Sequence, residues 1–468
     1  MPDTPHDPRP PLRRFPPSRR MAGLIALYQL LWHSLLPVVF LFLWRRGRRE
    51  PLYRQFWGER FGNTHTPLHR PLWVHSASMG ELRGAAPLVR ALLAEGLSIV
   101  ITTLTPAGRT AAQQLFDEPI AQGRLAVAYL PLELGWAVRR FIRQVNPRAA
   151  VMTEIDTWPV LLATLRTQGV PLAMANAQYP KESFIRDRKR WWGFRAALFQ
   201  AYELVLCKSD THAQRFRQLG CERVVIAGET RFDLPASPQQ LHAASELSRQ
   251  WGLATHTPSG RPVVCFASVV VGEDATFVST MQTIRQALAK QSATPPLFVC
   301  VPRSPQRFDE SERLLAEAGL RVVRRSACLD AAFQPDENLK MADVDVLLGD
   351  SLGEMYFYLA LSQVVVVGGS FVDTGAHNVI EPLALKKPVM VGPSIWGIEY
   401  PGAEALAAGV LQQHADANRL AQALLSLLTS PQAYAQATAG AAAFFAEHGG
   451  ATDKHMATLM PWLQERAP

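Results

Sequence analysis

Six short stretches of this chain carry side chains suited to proton transfer or anion binding, and each follows an apolar run. The first ends Ser76-Ala77-Ser78-Met79-Gly80-Glu81. Gly80 permits a tight turn, and Glu81 falls in the first helical turn, where the helix dipole favours an ionised carboxylate. A carboxylate so placed can take a proton from a hydroxyl. Spacing alone favours a plain Ser78-x-x-Glu81 capping box. The second stretch, Thr102 to Gly108, offers hydroxyls and N–H groups around Thr105 for an anion, or a plain helix cap. The third is Thr153-Glu154-Ile155-Asp156-Thr157-Trp158-Pro159, an acid pair at a strand end with a ring that could stack. The fourth is basic and aromatic: Arg186, Arg188, Lys189 and Arg190, then Trp191 and Trp192. That mixture suits a membrane interface, phosphate groups or simply a solvated face.

The remaining two stretches lie in the second half. Ala267-Ser268 leads to Gly272-Glu273, and Arg303 and Arg307 follow the next apolar run, placed to grip an anion. The last reads Gly368-Gly369-Ser370, then Gly375-Ala376-His377-Asn378 and Glu381-Pro382. N–H groups at a helix opening with Asn378 suit a phosphate, and Glu381 could accept two hydrogen bonds from a ribose diol. Asn378-x-x-Glu381 also matches a capping box, which would not explain Gly-Gly-Ser or His377.

Such loops need a scaffold. Strands are expected at Leu72–Ala77, Ser98–Thr103, Ala126–Leu130, Ala149–Thr153, Leu172–Ala175, Leu204–Cys207 and Val224–Ala227. The series restarts at Val263–Ala267, Leu297–Val301, Leu320–Val323, Val344–Leu348, Val364–Val367 and Val389–Val391. Continuous Val/Ile/Leu/Ala runs, rather than alternating ones, mark parallel strands covered on both faces. Helical patterns such as Leu82–Glu95 and Ala137–Gln144 separate them. The fold class is therefore α/β: two doubly wound, Rossmann-type domains facing a cleft. An N-terminal domain is expected over 51–235 and a second domain over 260–430. Residues 234–262, rich in Pro, Ser and Gly, read as their connection. An Ala-rich helix over 431–468 is expected to pack across both domains.

The N-terminal segment differs. Residues 1–20, rich in Pro and Arg, read as disordered. Met21–Trp44 is almost wholly apolar and approaches the length that spans a bilayer. Arginines on both flanks give little orientation bias, and no small-x-small cleavage site follows. A membrane helix is expected within 1–50. The chain has 468 residues and a net charge of +8, with no zinc-finger spacing and no basic stripe with repeated aromatics, so nucleic acid is not an expected partner. Five cysteines without a CxxC pair argue against a disulfide framework or a zinc site and for a reducing compartment.

On these motifs the chain resembles the Kdo transferases of lipopolysaccharide biosynthesis, over about residues 21 to 430. The matching stretches are HSASMGE, TLTPAG, TEIDTWP, GETRFD, VPRSPQRF, VLLGDSLGEM and GGSFVDTGAHNVIEP. The resemblance implies a GT-B-like fold and an inverting glycosyltransferase. Its donor would be CMP-activated 3-deoxy-D-manno-octulosonic acid (CMP-Kdo), and its acceptor a lipid A precursor (lipid IVA). The resemblance implies the acceptor for the first domain and the donor for the second. Neither a metal nor a cofactor is implied. The expected location is the cytoplasmic face of the inner membrane. It further implies Glu81 as catalytic base. On the donor side it implies Ser268, Glu273, Arg303, Gly369, Ser370, His377, Asn378 and Glu381. Ser78, Gly80, Thr105, Glu154, Asp156, Arg186 and Arg188 would serve the acceptor. The chain departs from the family pattern in four places. Val269-Val270 stands where Thr-His is usual, Asp156 for the second Glu before Trp-Pro, Gln178 for Arg in Asn-Ala-Arg, and Glu229 for Asn after Gly228. Rival readings are a membrane GT-B glycosyltransferase with another nucleotide sugar, a non-catalytic lipid A- or nucleotide-binding relative, and a nucleotide-sugar epimerase.

Overall fold

A computed structural model describes residues 15–189, 193–254, 260–336 and 340–466. Residues 1–14 of the expected disordered tail, and Arg190, Trp191 and Trp192 of the basic-aromatic stretch, lie outside the described residues.

The chain forms two units: Met1–Leu234 with Gly449–Pro468, and Pro235–His448. In the first unit the strands are β1 (Leu72–His75), β2 (Ile99–Thr103), β3 (Leu125–Tyr129), β4 (Ala149–Thr153), β5 (Leu172–Ala177), β6 (Leu204–Cys207) and β7 (Val224–Ile226). They form one parallel sheet in the order β3-β2-β1-β4-β5-β6-β7. The central strands β1, β4 and β5 are buried at every position, which is why they are apolar but for His75, Thr153 and Asn176 near their carboxyl ends. Trp73, Phe141 and Met174 fill one face of the sheet, and Val74, Leu92 and Trp462 the other.

The second unit holds β8 (Val263–Val269), β9 (Leu297–Pro302), β10 (Val322–Arg324), β11 (Val346–Leu348), β12 (Val364–Val367), β13 (Val389–Val391) and β14 (Leu411–Gln413). They are parallel in the order β10-β11-β9-β8-β12-β13-β14. In each sheet the order reverses beside the first strand, between β1 and β4 and between β8 and β12. Doubly wound sheets bind ligands at the carboxyl ends of the strands flanking that reversal.

Four details depart from the sequence reading. First, residues 15–18 are packed rather than disordered: Phe15 is 7% exposed within the first unit's core, and Ser18 Oγ accepts the Met21 N–H (3.2 Å) to cap helix Arg19–Arg46. Second, the connecting stretch contains helix Pro238–Gln250, capped by Ser237 and packed on helix Met355–Leu361 of the second unit. Third, residues 431–468 make two helices. Pro431–His448 belongs to the second unit, and Ala451–Glu465 returns to the first. The break is at Gly450 (φ 71°), where Asp233 accepts the N–H groups of Gly450 (2.7 Å) and Thr452 (2.5 Å). Fourth, β14 was not anticipated. Leu411 is its one buried residue, and Gln412-Gln413 at a sheet edge carries no strand signal.

Candidate active site

The loop after β1 is built around Glu81. Ser78 (φ −129°, ψ 166°) caps helix Met79–Ala94, its Oγ accepting the Glu81 N–H at 3.3 Å. In return the Glu81 carboxylate accepts from the Ala77 N–H (2.8 Å) and the Ser78 hydroxyl (3.2 Å). The cap and the candidate base are thus the same residue. Those bonds use about half of the acceptor capacity of a carboxylate and fix its direction. Burial, and then the Glu154 charge, push the Glu81 carboxyl up to about 7, against the pull of the Ala77 and Ser78 hydrogen bonds. A group ionising near neutrality is suited to accept a proton there.

The ends of β4 to β7 supply the surroundings. Glu154 takes a left-handed conformation (φ 61°), accepts from Gln178 Nε2 at 2.5 Å and lies 3.4 Å from Lys208 Nζ. Lys208 also reaches Gln178 Oε1 and Glu229 Oε1, both at 3.3 Å. Arg231 Nη2 donates to the Gly80 carbonyl (3.2 Å), and its side chain approaches Glu229 (3.5 Å) and Glu154 (3.9 Å). Burial would raise the Glu229 carboxyl, yet Lys208 and then Arg231 outweigh it and hold it below its usual value. The cluster thus sets Glu81, Glu154 and Glu229 against Lys208 and Arg231.

Asp156 points elsewhere. Its Oδ2 lies 3.4 Å from Nε2 of fully buried His75. Burial, then the Glu81 charge, raises the Asp156 carboxyl well above its usual range, and burial pushes His75 down to about 4. His75 Nδ1 sits 3.0 Å from the Thr102 carbonyl, while His75 Nε2 and Asp156 Oδ2 make no hydrogen bond among the described residues. Asp156 thus faces buried His75, a place unlike the acceptor contact expected of it.

The other first-unit candidates divide. Thr105 Oγ1 accepts the Gly108 N–H at 3.1 Å, a plain cap on helix Pro106–Leu115. Gly80 is exposed and contributes its carbonyl to Arg231. Arg186 and Arg188 sit on helix Lys181–Lys189, where Arg186 contacts Asp187 and Ser183, and Arg188 contacts Gln218 and the Phe184 ring.

In the second unit the loops after β8 and β12 cross closely. Ser268 (φ 60°) and Gly369 (φ 80°) are both left-handed. A Cβ at Gly368 would lie 2.6 Å from the Ser268 carbonyl oxygen, and one at Gly369 2.4 Å from that of Gly375. Glu273 is fully buried, and its oxygens accept the N–H groups of Gly369 (2.8 Å), Phe371 (3.0 Å) and Val270 (3.1 Å). Ser370 is equally buried, donating to the Val367 carbonyl (2.6 Å) and accepting from the Gly392 N–H (2.8 Å). These two were expected as donor contacts; with their polar atoms spent on backbone, they shape the loop. Arg307 is likewise taken up, by Asp274 (2.7 Å) and Glu310 (3.2 Å). Arg303 stays exposed at the end of β9. His377 donates its backbone N–H to the Gly368 carbonyl (3.1 Å), while its buried Nε2 has no hydrogen-bond partner among the described residues. Burial, and then Arg303, lower the His377 imidazole. Asn378 Oδ1 accepts the Ile380 N–H (2.9 Å), so the helix starts at Ile380 and Glu381 falls in its first turn. Burial, then the Glu381 charge, raises the Tyr356 hydroxyl to about 12.

Sequence reading missed Lys208, Arg231 and His75 as members of the first-unit cluster. A lysine directly after the apolar run Leu204–Cys207 was the available signal, since ligand groups gather at carboxyl ends of strands.

Paired seven-stranded parallel sheets, each with its polar cluster at the reversal of strand order, define a class: a two-unit, GT-B-like α/β protein. The crystal structure of UDP-GlcNAc 2-epimerase from Neisseria meningitidis bound to UDP-GlcNAc shares that fold, with a TM-score of 0.53 at 12% identity over 84% of this chain and all (100%) of that one. The family model of 3-deoxy-D-manno-octulosonic-acid transferase (kdotransferase) matches residues 55–234. The 3-deoxy-D-manno-octulosonic acid transferase of Bordetella pertussis is 38% identical over 445 residues, covering 93% of this chain and 99% of its own. The enzyme of the same name from Haemophilus influenzae is 30% identical over 453 residues, covering 94% and 99%. The chain belongs to the Kdo transferase family and is a glycosyltransferase.

Proposed function

We propose that the protein transfers Kdo from CMP-Kdo to a hydroxyl of a lipid A precursor, with inversion at the anomeric carbon and Glu81 as general base. The observation that carries the reading is the Glu81 carboxyl. It sits at the first helical turn beside the strand reversal, is fixed by Ala77 and Ser78, and is poised near neutrality. Glu81 takes the proton of the acceptor hydroxyl as that oxygen bonds to the anomeric carbon. The bond from that carbon to the phosphate oxygen breaks, and CMP leaves with the electron pair. The proton then passes from Glu81 to water.

Donor binding falls to the second unit. Arg303 offers an exposed guanidinium for an anionic group of the donor, and the unpartnered His377 Nε2 offers one further polar contact. Ser268, Asn378 and Glu381 line the same loops, while Glu273, Gly369 and Ser370 hold those loops in shape. On the acceptor side, Ser78, Gly80 and Glu154 adjoin the base; Arg186 and Arg188 supply exposed positive charge for acceptor phosphates. Helix Arg19–Arg46 is long and apolar enough to cross a membrane, with a mean hydropathy of 1.8 in its most apolar window. It supports attachment to the cytoplasmic face of the inner membrane, where a lipid acceptor is presented.

Purified protein offered CMP-Kdo and lipid A precursor, with product read by mass spectrometry, tests this. Glu81→Gln, which keeps the shape, is expected to lose about 10²-fold or more in transfer rate. Near-normal transfer by Glu81→Gln and Glu81→Ala would remove Glu81 from the role. Activity with UDP-sugars and none with CMP-Kdo would replace the donor.

A further inference from the structure

The N-terminal helix presents one row of side chains to its own unit along its whole length. Met21, Ile25, Tyr28, Trp32, Leu36 and Leu43 are buried or half-buried, and their spacing follows one helical face. Met21 and Ile25 join the core with Phe141 and Val160. Midway, Gln29 lies so close to Gly135 that a Cβ there would come within 2.8 Å of its amide nitrogen. Further on, the Phe40 and Trp57 rings are 4.9 Å apart, and Arg54 Nε donates to the Trp44 carbonyl at 2.9 Å. The helix has 28 residues, about 42 Å at 1.5 Å per residue, and touches the first unit near its start, at its middle and near its end.

The rest of the helix surface is apolar and open, with large side chains running from Leu41 at 44% to Leu30 at 64% exposed. The polar groups there are turned back on the helix: Ser34 donates to the Leu30 carbonyl (3.2 Å), and His33 Nδ1 lies 2.7 Å from the Gln29 carbonyl. A basic and aromatic margin adjoins this surface. Arg48 and Arg54 stand over the Trp44 ring, at 4.9 and 4.6 Å. Helix Gly135–Val145 carries exposed Trp136, Arg139, Arg140 and Arg143 and no acidic residue. The Cβ built at Gly135 also lies 3.2 Å from Arg139 Nη1, so that guanidinium borders the N-terminal helix.

A helix crossing a bilayer has lipid around it over about 30 Å. Here that passage would drag the polar flank of the first unit, with its arginines, into hydrocarbon, at a cost of at least about 2.5 kcal/mol per arginine. We propose that the helix lies lengthwise in one leaflet, its open face among acyl chains, with the arginines of helix Gly135–Val145 seated on anionic lipid headgroups. Tryptophan and arginine at one level are the expected signature of such seating. This rests on the membrane attachment proposed above and adds its geometry.

The test uses the full chain with a protease-cleavable tag at each end, reconstituted in sealed vesicles of equal parts phosphatidylcholine and phosphatidylglycerol. Flotation comes first. Failure to float would overturn attachment itself, and this inference with it. In floating vesicles, the two tags are expected to be cleaved to the same extent by added protease and protected to the same extent. One tag cleaved while the other is protected would show a crossing helix, overturning the leaflet geometry and leaving attachment intact. The triple variant Arg139→Glu, Arg140→Glu, Arg143→Glu is expected to bind the phosphatidylglycerol vesicles about a hundredfold more weakly, with unchanged binding to phosphatidylcholine alone. Unchanged binding to both would remove the arginines from the contact.

Discussion

Glu81 serves two functions with one carboxylate. As a cap it completes helix Met79–Ala94; as a buried acid next to Glu154 it resists ionisation. That resistance has a sign. The folded protein holds the Glu81 proton up to about 7, above the ordinary value of 4.5 for an unfolded chain. Below 4.5 the group costs nothing; as pH rises through the window up to about 7, stability falls, and the full cost persists above it. Glu81→Gln should therefore raise the melting temperature at pH 8 relative to wild type. It should have little effect at pH 4, by the difference scanning calorimetry would show. Equal shifts at both pH values would mean that the carboxyl is not strained by burial. Catalytic groups commonly carry such a cost. Among sequence signals, Glu81 was legible because it opens a helix after an apolar strand. The His75–Asp156 pair was not, because its partners are brought together only by the adjacency of β1 and β4.

Secondary elements place these residues, and here the loops after the first strands of each sheet matter most. The family resemblance implied Glu273 as a donor contact. Burial changed that reading: three backbone N–H groups converge on it and tie the loop after β8 to the loop after β12. Removing the carboxylate leaves three buried donors unmet, each worth roughly 1–3 kcal/mol. Glu273→Ala is expected to destabilise the second unit by about 3 kcal/mol or more in chemical denaturation and to raise the KM for CMP-Kdo. A variant with wild-type stability and a raised KM would return Glu273 to direct ligand contact. The strand pattern itself was readable because both faces of each central strand are covered, so apolar runs stand out. The edge strand β14 and the helix inside the connecting stretch had no such contrast.

At the level of the molecule, residues 15–234 and 449–466 belong to one unit. Helix Ala451–Glu465 buries Leu459, Trp462 and Leu463 against the core that holds Val74 and Leu92, and His455 Nε2 accepts the Asn176 N–H (3.2 Å) at the end of β5. Composition showed an Ala-rich helical tail but not its division, which rests on Gly450 and on Asp233 more than two hundred positions earlier. Trp462→Ala is expected to cost the first unit about 3–5 kcal/mol. Fluorescence-detected unfolding with probes in each unit should show the first transition moved and the second unmoved. Loss of stability shared by both would contradict the assignment of this helix to the first unit.

The most direct test of Glu81 as base is the pH dependence of kcat/KM for transfer from CMP-Kdo to lipid A precursor by the full chain. The site predicts a rise of one decade per pH unit on the acid side, levelling near pH 7 as the Glu81 carboxyl ionises. A profile flat from pH 5 to pH 9, with the chain folded throughout, would contradict it.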